Sequence, residues 1–125
     1  MLSTKDVIAF VPTRNAEKAK TFYESTLGLR FVSDDKFALV FDANGTMIRI
    51  ARVPKYEPAQ FAILGWQVTG IEKIVMDLRS KGVRFETFEG LGQNELGIWA
   101  APDGAAKVAW FKDPDGNILS VSEHS

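Results

Sequence analysis

The 125-residue sequence predicts an α+β fold made of two βαβββ modules. Three observations predict it. Strand and helix signals follow the same order in residues 5–53 and in residues 61–123. Between them lies "PKYEPAQ" (54–60), which has two prolines, little apolar content and the composition of a linker. Third, short stretches recur at matched distances. Glu17-Lys18 returns as Glu72-Lys73 at an offset of 55, and Leu29-Arg30-Phe31 as Val83-Arg84-Phe85 at 54. Phe41 to Gly45 returns as Phe111 to Gly116, the offset moving from 70 to 71. Four elements agreeing in order make an internal duplication. The drop from 55 to 54 implies that the two helices differ in length by one residue.

In the first module, Val7 to Val11 is an apolar, β-rich run ended by Pro12. Asn15 is placed to cap a helix, with Glu17 in its first turn. Ala16, Ala19, Phe22, Tyr23 and Leu27 fall on one face of that helix, and Gly28 stops it. Strands follow at Leu29 to Ser33 and Phe37 to Phe41. "DANG" (42–45) is a hairpin signal, because Asn44-Gly45 accepts positive φ, and Met47 to Val53 returns.

In the second module, Phe61 to Val68 is a strand. Thr69 and Glu72 spell a capping box, Ile71, Ile74, Val75 and Leu78 form the buried stripe, and Gly82 ends the helix. Val83 to Phe88 reads as a strand, and Glu89 to Gly97, with three glycines, as a mobile loop. Ile98 to Ala101 is a short strand, and Lys107 to Phe111 with Ile118 to Val121 is the last hairpin, turned by Asp113-Pro114-Asp115-Gly116. Each half is a short curved sheet with one helix on its outer face. Neither half covers its sheet alone. Two such halves, from one chain or shared between two, are expected to enclose a cleft where function sits.

Composition narrows the options. A chain of this length buries about two-thirds of its unfolded surface, enough for a core without staples. With no cysteine, disulfides, thiolate zinc and cysteine nucleophiles are excluded. The formal charge is −1, with both signs mixed along the chain, which is not the footprint of a nucleic-acid binder. No apolar run approaches the roughly 20 residues that span a bilayer. "MLSTKDVIAF" has no charged-then-apolar signal layout, so a cytoplasmic location is expected.

"NAEKAKTFYESTLGLRFV" (15–32) and "VAWFKDPDGNILSV" (108–121) together resemble the vicinal oxygen chelate superfamily, which includes glyoxalases, bleomycin resistance proteins and extradiol dioxygenases. The "FY…LGL" and "DPDGN" pieces carry the likeness, which covers nearly the whole chain. The resemblance implies paired βαβββ modules whose curved mixed sheets form a half-barrel cleft, usually in a homodimer. In metal-using members, the first and last strands of each module supply ligands, His or Gln on the first and Glu on the last. Carried over from Tyr23 and Asp113, those positions hold Ile8, Arg49, Ile63 and Ser120. Two isoleucines bring no donor atom, Ser120 is a poor ligand alone, and Arg49 cannot lose its proton. A dication about 4 Å from a guanidinium is repelled by roughly 8 kcal/mol at an effective dielectric of about 20. No metal and no other cofactor is expected.

The remaining candidates are ligand-binding ones. Arg49, at mid-strand, is either an anchor for an anion or half of a structural ion pair. Phe10, Trp99 and Trp110 are either a stacking surface for a flat ligand or packing residues. Gln67 offers a polar handle, and Trp66 by alternation belongs to the core. "GLGQNELG" (90–97) has the wrong spacing for a dinucleotide fingerprint and reads as a flexible lid or a plain surface loop. Glu89 and Glu95 on it have no partner in the sequence. His124, the single histidine, reads as part of a frayed tail. Asp34-Asp35 reads as a solvated face.

The expected function is therefore binding of a small organic molecule, aromatic or anionic, in an apolar cleft lined by Ile8, Phe10, Arg49, Ile63, Gln67, Trp99, Trp110 and Ser120. The alternatives are a metal-dependent lyase, isomerase or dioxygenase, and a metal-free enzyme in which Arg49 stabilises an oxyanion.

Overall fold

In the computed structural model, which describes residues 1–125, strand β1 (Ile8–Thr13) leads into helix α1 (Ala16–Thr21). Asn15 caps the helix as its side chain predicts, its Oδ1 accepting from the Lys18 N–H at 3.1 Å. The helix does not run on to Leu27 in α geometry. It passes into a π turn at Phe22–Thr26, closed by the Leu27 N–H donating to the Phe22 carbonyl at 2.9 Å. A π turn holds one more residue than an α turn. Gly28, at φ 76°, then stops the helix.

Strands β2 (Arg30–Asp34), β3 (Ala38–Ala43) and β4 (Thr46–Arg52) complete this unit in the order β1-β4-β3-β2, with β1 and β4 parallel. Asn44 and Gly45 turn the β3–β4 hairpin with φ of 50° and 92°, as a two-residue loop with a right-handed twist requires. One sheet face is closed by the helical layer. Leu39, Phe41, Ile48 and Ile50 are buried there, and the Tyr23 ring lies 6.1 Å from that of Phe41. Burying side chains of this size contributes about 1.5–3 kcal/mol each. On the other face Ile8, Phe10 and Met47 are exposed.

The chain divides into two compact units, Met1–Glu57 and Pro58–Ser125. The second contains β5 (Ala62–Gln67), α2 (Ile71–Ser80), β6 (Trp99–Ala100), β7 (Ala106–Lys112) and β8 (Ile118–His124) in the order β5-β8-β7-β6. The first and last strands are again parallel neighbours. Helix α2 packs on β7 and β8, burying Ile71 and Val75, and Ala109, Phe111, Leu119 and Val121 are buried in the same unit. Trp66 stands opposite Val121, among the core-facing residues.

Four expectations for this unit are corrected. The Thr69–Glu72 capping box does not form. The cap residue is Gly70, at φ 71°, and the Gly70 and Ile71 N–H groups donate to the Glu123 carboxylate, each at 3.1 Å. The left-handed turn at Gly70 takes Thr69 out of capping position.

Val83–Phe88 is not a full strand. Only Phe85 bridges β7, opposite Phe111, with the Glu86 N–H donating to the Trp110 carbonyl at 2.8 Å. The other end of that β7 edge is taken by Trp99 and Ala100. Beyond the bridge, side-chain bonds replace the ladder. The Phe88 N–H donates to Gln93 Oε1 at 2.7 Å, and Gln93 Nε2 donates to the Glu86 carbonyl at 2.9 Å.

The same Gln93 amide reaches the Gly97 carbonyl at 2.7 Å, and Asn94 Oδ1 accepts from the Leu96 and Ile98 N–H groups. Residues 93–98 are thus pinned by side chains, which fits the plain surface loop of the two readings and not a mobile lid. Finally, His124 is part of β8, paired with Ala106, and not of a frayed tail.

In the Asp113–Asn117 turn, Asp113, Asp115 and Asn117 are buried while Pro114 is exposed. Asp113 Oδ1 accepts from the N–H groups of Asp115 and Asn117, and Asn117 Nδ2 donates to Asp113 Oδ2 at 2.9 Å. Gly116, at φ 87°, comes so close to Pro58 that an added Cβ would lie 3.3 Å from its ring. No helix in the protein is long and apolar enough to cross a membrane.

Candidate functional site

The expected site residues fall into two groups, one in each unit. In the first unit, β1 and β4 place Ile8, Phe10 and Arg49 on the sheet face away from α1, with Phe10 directly opposite Arg49. Arg49 is not a lone guanidinium. Its Nη2 donates to Asp35 Oδ2 at 2.6 Å. Asp35 is itself fixed in the β2–β3 turn, where Oδ1 accepts from the Phe37 and Ala38 N–H groups at 3.0 and 2.8 Å. The Arg49 hydrogen bond, then the Ala38 amide, holds the Asp35 carboxyl below its usual pKa.

Asp34 makes a bidentate pair with Arg52, both contacts at 2.8 Å, and this pair lowers its pKa to about 2. Neighbouring aspartates in extended chain point to opposite sides, as do Arg49 and Arg52 three residues apart. Asp34-Asp35 is accordingly a pair of arginine partners, not merely a solvated face.

In the second unit, one rung crosses three strands: Gly65 on β5, Ser120 on β8 and Trp110 on β7. Ser120 is small because this rung is tight. A Cβ at residue 65 would lie 2.5 Å from Ser120 Oγ. Trp110 is flanked by two aromatic rings. Trp99 is centred 6.5 Å away, tilted by 44°, and Phe88 is centred 5.5 Å away in an edge-to-face contact.

Phe88 is the residue missed in the sequence, where it reads as one more apolar position in a strand. Two rungs along, on the same face, Gln67 stands opposite Ser122, whose Oγ is 3.0 Å from His124 Nε2. Ile63 is half-buried at a bulge between Ala62 and Leu64, and the regular ladder begins only at Leu64.

The two groups are related through the repeat. The rung joining first and last strands is Phe10–Arg49 in one unit and Gly65–Ser120 in the other, at offsets of 55 and 71. Those are the offsets the sequence motifs give.

The donor set does not fit a divalent metal. No group of three or more His, Cys, Asp or Glu side chains comes together anywhere in the chain. Ile8 and Ile63 lack donor atoms, and Arg49 is a cation already holding the nearest carboxylate. The protein has open cavities as well. They are lined around Arg84 (about 420 Å³), around Arg14 and Tyr56 (about 400 Å³), and around Lys107 and His124 (about 210 Å³).

Two sheets, each with parallel first and last strands and a helical layer on one face, define a paired βαβββ protein. Residues 6–121 match the family model described as Glyoxalase/Bleomycin resistance protein/Dioxygenase superfamily, and the chain belongs to that superfamily.

Solved structures agree on the fold. The chain is similar to a protein from Bacillus anthracis assigned to the glyoxalase family, at 19% identity and a TM-score of 0.76, over 98% of this chain and 96% of that one. It is similar to a lactoylglutathione lyase from Agrobacterium tumefaciens at 14% identity and a TM-score of 0.73, over 96% and 93%. A glyoxalase/bleomycin resistance protein/dioxygenase from Alicyclobacillus acidocaldarius is 16% identical, with a TM-score of 0.70 over 97% and 92%. Among curated proteins, none matches.

Proposed function

We propose that this protein binds a small organic ligand with a flat aromatic body, without a metal, on the sheet faces carrying Ile8, Phe10, Arg49, Ile63, Gln67, Trp99, Trp110 and Ser120. The observation that carries the reading is the Phe88–Trp110–Trp99 cluster beside the Gly65–Ser120 rung. Aromatic rings held edge to face leave ring faces and edges for a planar guest. Gln67 and Ser120 supply the few polar contacts that fix its orientation. Asp35 occupies one Arg49 nitrogen, and a guanidinium has five N–H donors. Arg49 can therefore meet a ligand carboxylate while staying oriented by Asp35.

The protein is proposed to act as a cytoplasmic homodimer, by sequestering or sensing its ligand. Large exposed apolar side chains such as Phe10, Phe37 and Phe61 support a second copy. Sedimentation of the purified protein is then expected to give twice the 13.9 kDa of one chain.

A thermal-shift screen of planar aromatic acids tests the binding reading. A saturable rise in melting temperature, reduced in Arg49→Met, is the expected result. No shift with any planar compound would sink it.

The alternative reading is a metal-dependent lyase, isomerase or dioxygenase, in line with the lyase name of one structural neighbour. It requires donors that the Ile8, Arg49, Ile63 and Ser120 positions lack. Elemental analysis finding one Zn, Ni, Fe or Mn per chain would favour it over the binding reading. A metal-free enzyme using Arg49 at a developing oxyanion ranks last, since the carboxylate beside Arg49, that of Asp35, is engaged by the guanidinium and held below its usual pKa, which makes it a weak base.

A further inference from the structure

The chain has six arginines, and four are committed. Arg30, Arg49 and Arg52 pair with Asp42, Asp35 and Asp34, and Arg14 lies over the Tyr56 ring, 4.9 Å from its centroid. The two left over, Arg79 and Arg84, line one cavity of about 420 Å³ in the second unit. Both are exposed and neither makes an ion pair, although the Glu95 carboxylate lines the same cavity. Thr87 adds a hydroxyl, and Val83, Phe85 and Leu96 add apolar surface that is buried or half-buried.

The walls are held before any ligand arrives. Phe85 is fastened to β7 opposite Phe111, and the 93–98 segment is pinned by the Gln93 and Asn94 side chains. Gly97, at φ 83°, lies so close to Phe85 that an added Cβ would sit 3.1 Å from the Phe85 Cβ. Arg79 is in the last turn of α2, where a cation also suits the helix dipole. The Leu78 carbonyl accepts from the Lys81 and Val83 N–H groups and that of Arg79 from Gly82, so these two carbonyl oxygens are already partnered. Arg84, outside the helix, has no such structural duty.

We propose that this cavity is a second binding site, separate from the aromatic sheet face, for an oxyanion carried on a small apolar body, such as a phosphate monoester or an aromatic carboxylate. The two guanidinium forks and the Thr87 hydroxyl take the oxyanion. Val83, Phe85 and Leu96 take the body. Glu95 sets an upper limit on the negative charge the site accepts.

The test is an NMR titration of the intact protein with inorganic phosphate and with phenyl phosphate. Backbone amides of residues 82–87 and 95–97 are expected to shift saturably with both probes, phenyl phosphate binding about tenfold tighter because its ring is buried. Arg84→Met and Arg79→Met, both at exposed positions, weaken phosphate by about tenfold each. Glu95→Gln acts in the opposite direction and tightens it. Shifts that never saturate, shifts that map to other basic residues, or unchanged binding in Arg84→Met would each overturn the site. Equal affinity for the two probes would overturn the apolar half of the proposal.

Discussion

The Glu123 carboxylate, at the end of β8, receives hydrogen bonds from the Ile71 and Gly70 N–H groups and so caps α2 from 52 residues away in sequence. These two bonds hold its pKa below the usual glutamate value, the Ile71 amide contributing most. Removing the carboxylate in Glu123→Ala leaves two first-turn donors to water. The expected result is a lower melting temperature and several-fold faster amide exchange confined to the first turn of α2. Glu123→Gln, which keeps one acceptor oxygen, falls between. Thr69→Val, which would disable a capping box, leaves both readouts unchanged because no such box exists.

Acid sensitivity is built into the β2–β3 turn. Asp34 and Asp35 both have folded-state pKa values below 3.8, held down chiefly by Arg52 and Arg49, and Asp34 lies at about 2. A carboxyl depressed on folding stabilises the fold above its unfolded pKa and stops doing so as pH falls through the folded one. The turn is thus fully supported above about pH 4 and loses support on the way to about pH 2. In Arg49→Met, NMR titration of the carboxyl carbons is expected to move Asp35 up toward 3.8 and leave Asp34 at about 2. Equal movement of both would mean that the two pairs act as one network.

How far the sequence reached depends on the range of the interaction. The duplication was legible because it lies in local signals: Asn15 as a cap, Asn44-Gly45 as a hairpin, Gly28 and Gly82 as stops. Even the one-residue change in offset has a structural counterpart. The Leu29 N–H donates to the Tyr23 carbonyl six residues back, whereas the Val83 N–H donates to the Leu78 carbonyl five back. The extra residue is absorbed in the π turn.

What failed was set by partners distant in sequence. Nothing near Thr69 reveals that Glu123 replaces it. Nothing near Asp35 reveals Arg49. Phe85 has strand character, yet Trp99 and Ala100 take part of the edge it would pair along. Phe88 meets Trp110 where its N–H is held by the Gln93 side chain, five residues on. At Ile8 and Ile63 the absence of donor atoms is a matter of residue type and needs no geometry to read.

The Gly65–Ser120 rung predicts a mutual constraint. A Cβ at residue 65 meets Ser120 Oγ at 2.5 Å and the Ser120 carbonyl oxygen at 3.3 Å. The hydroxyl must leave its rotamer and the backbone contact is fixed, so Gly65→Ala is expected to cost about 1–3 kcal/mol, the range for overpacking. Ser120→Ala removes the nearer of the two atoms. The double variant should therefore recover part of the loss, with a coupling of about 1 kcal/mol in a denaturant-melt double-mutant cycle. Additive losses would mean that the backbone contact alone sets the cost.

The aromatic cluster makes the ligand reading measurable through intrinsic fluorescence. Two of the three tryptophans, Trp99 and Trp110, lie in the cluster, and Trp66 stands opposite Val121 among core-facing residues. A planar probe such as 2-naphthoate is expected to quench saturably. Trp66→Phe should raise the fractional quenching, because it removes an emitter outside the cluster, whereas Trp110→Phe should remove most of it. Phe88→Leu provides the test that fluorescence loss alone does not. It keeps both reporters and most of the buried volume but deletes the ring centred 5.5 Å from Trp110. An edge-to-face pair is worth about 0.5–1.5 kcal/mol, so the probe should bind up to about tenfold more weakly if that geometry orients Trp110 for stacking. Unaltered affinity in Phe88→Leu, with the melting temperature reduced, would assign the cluster to packing and remove the support for an aromatic ligand.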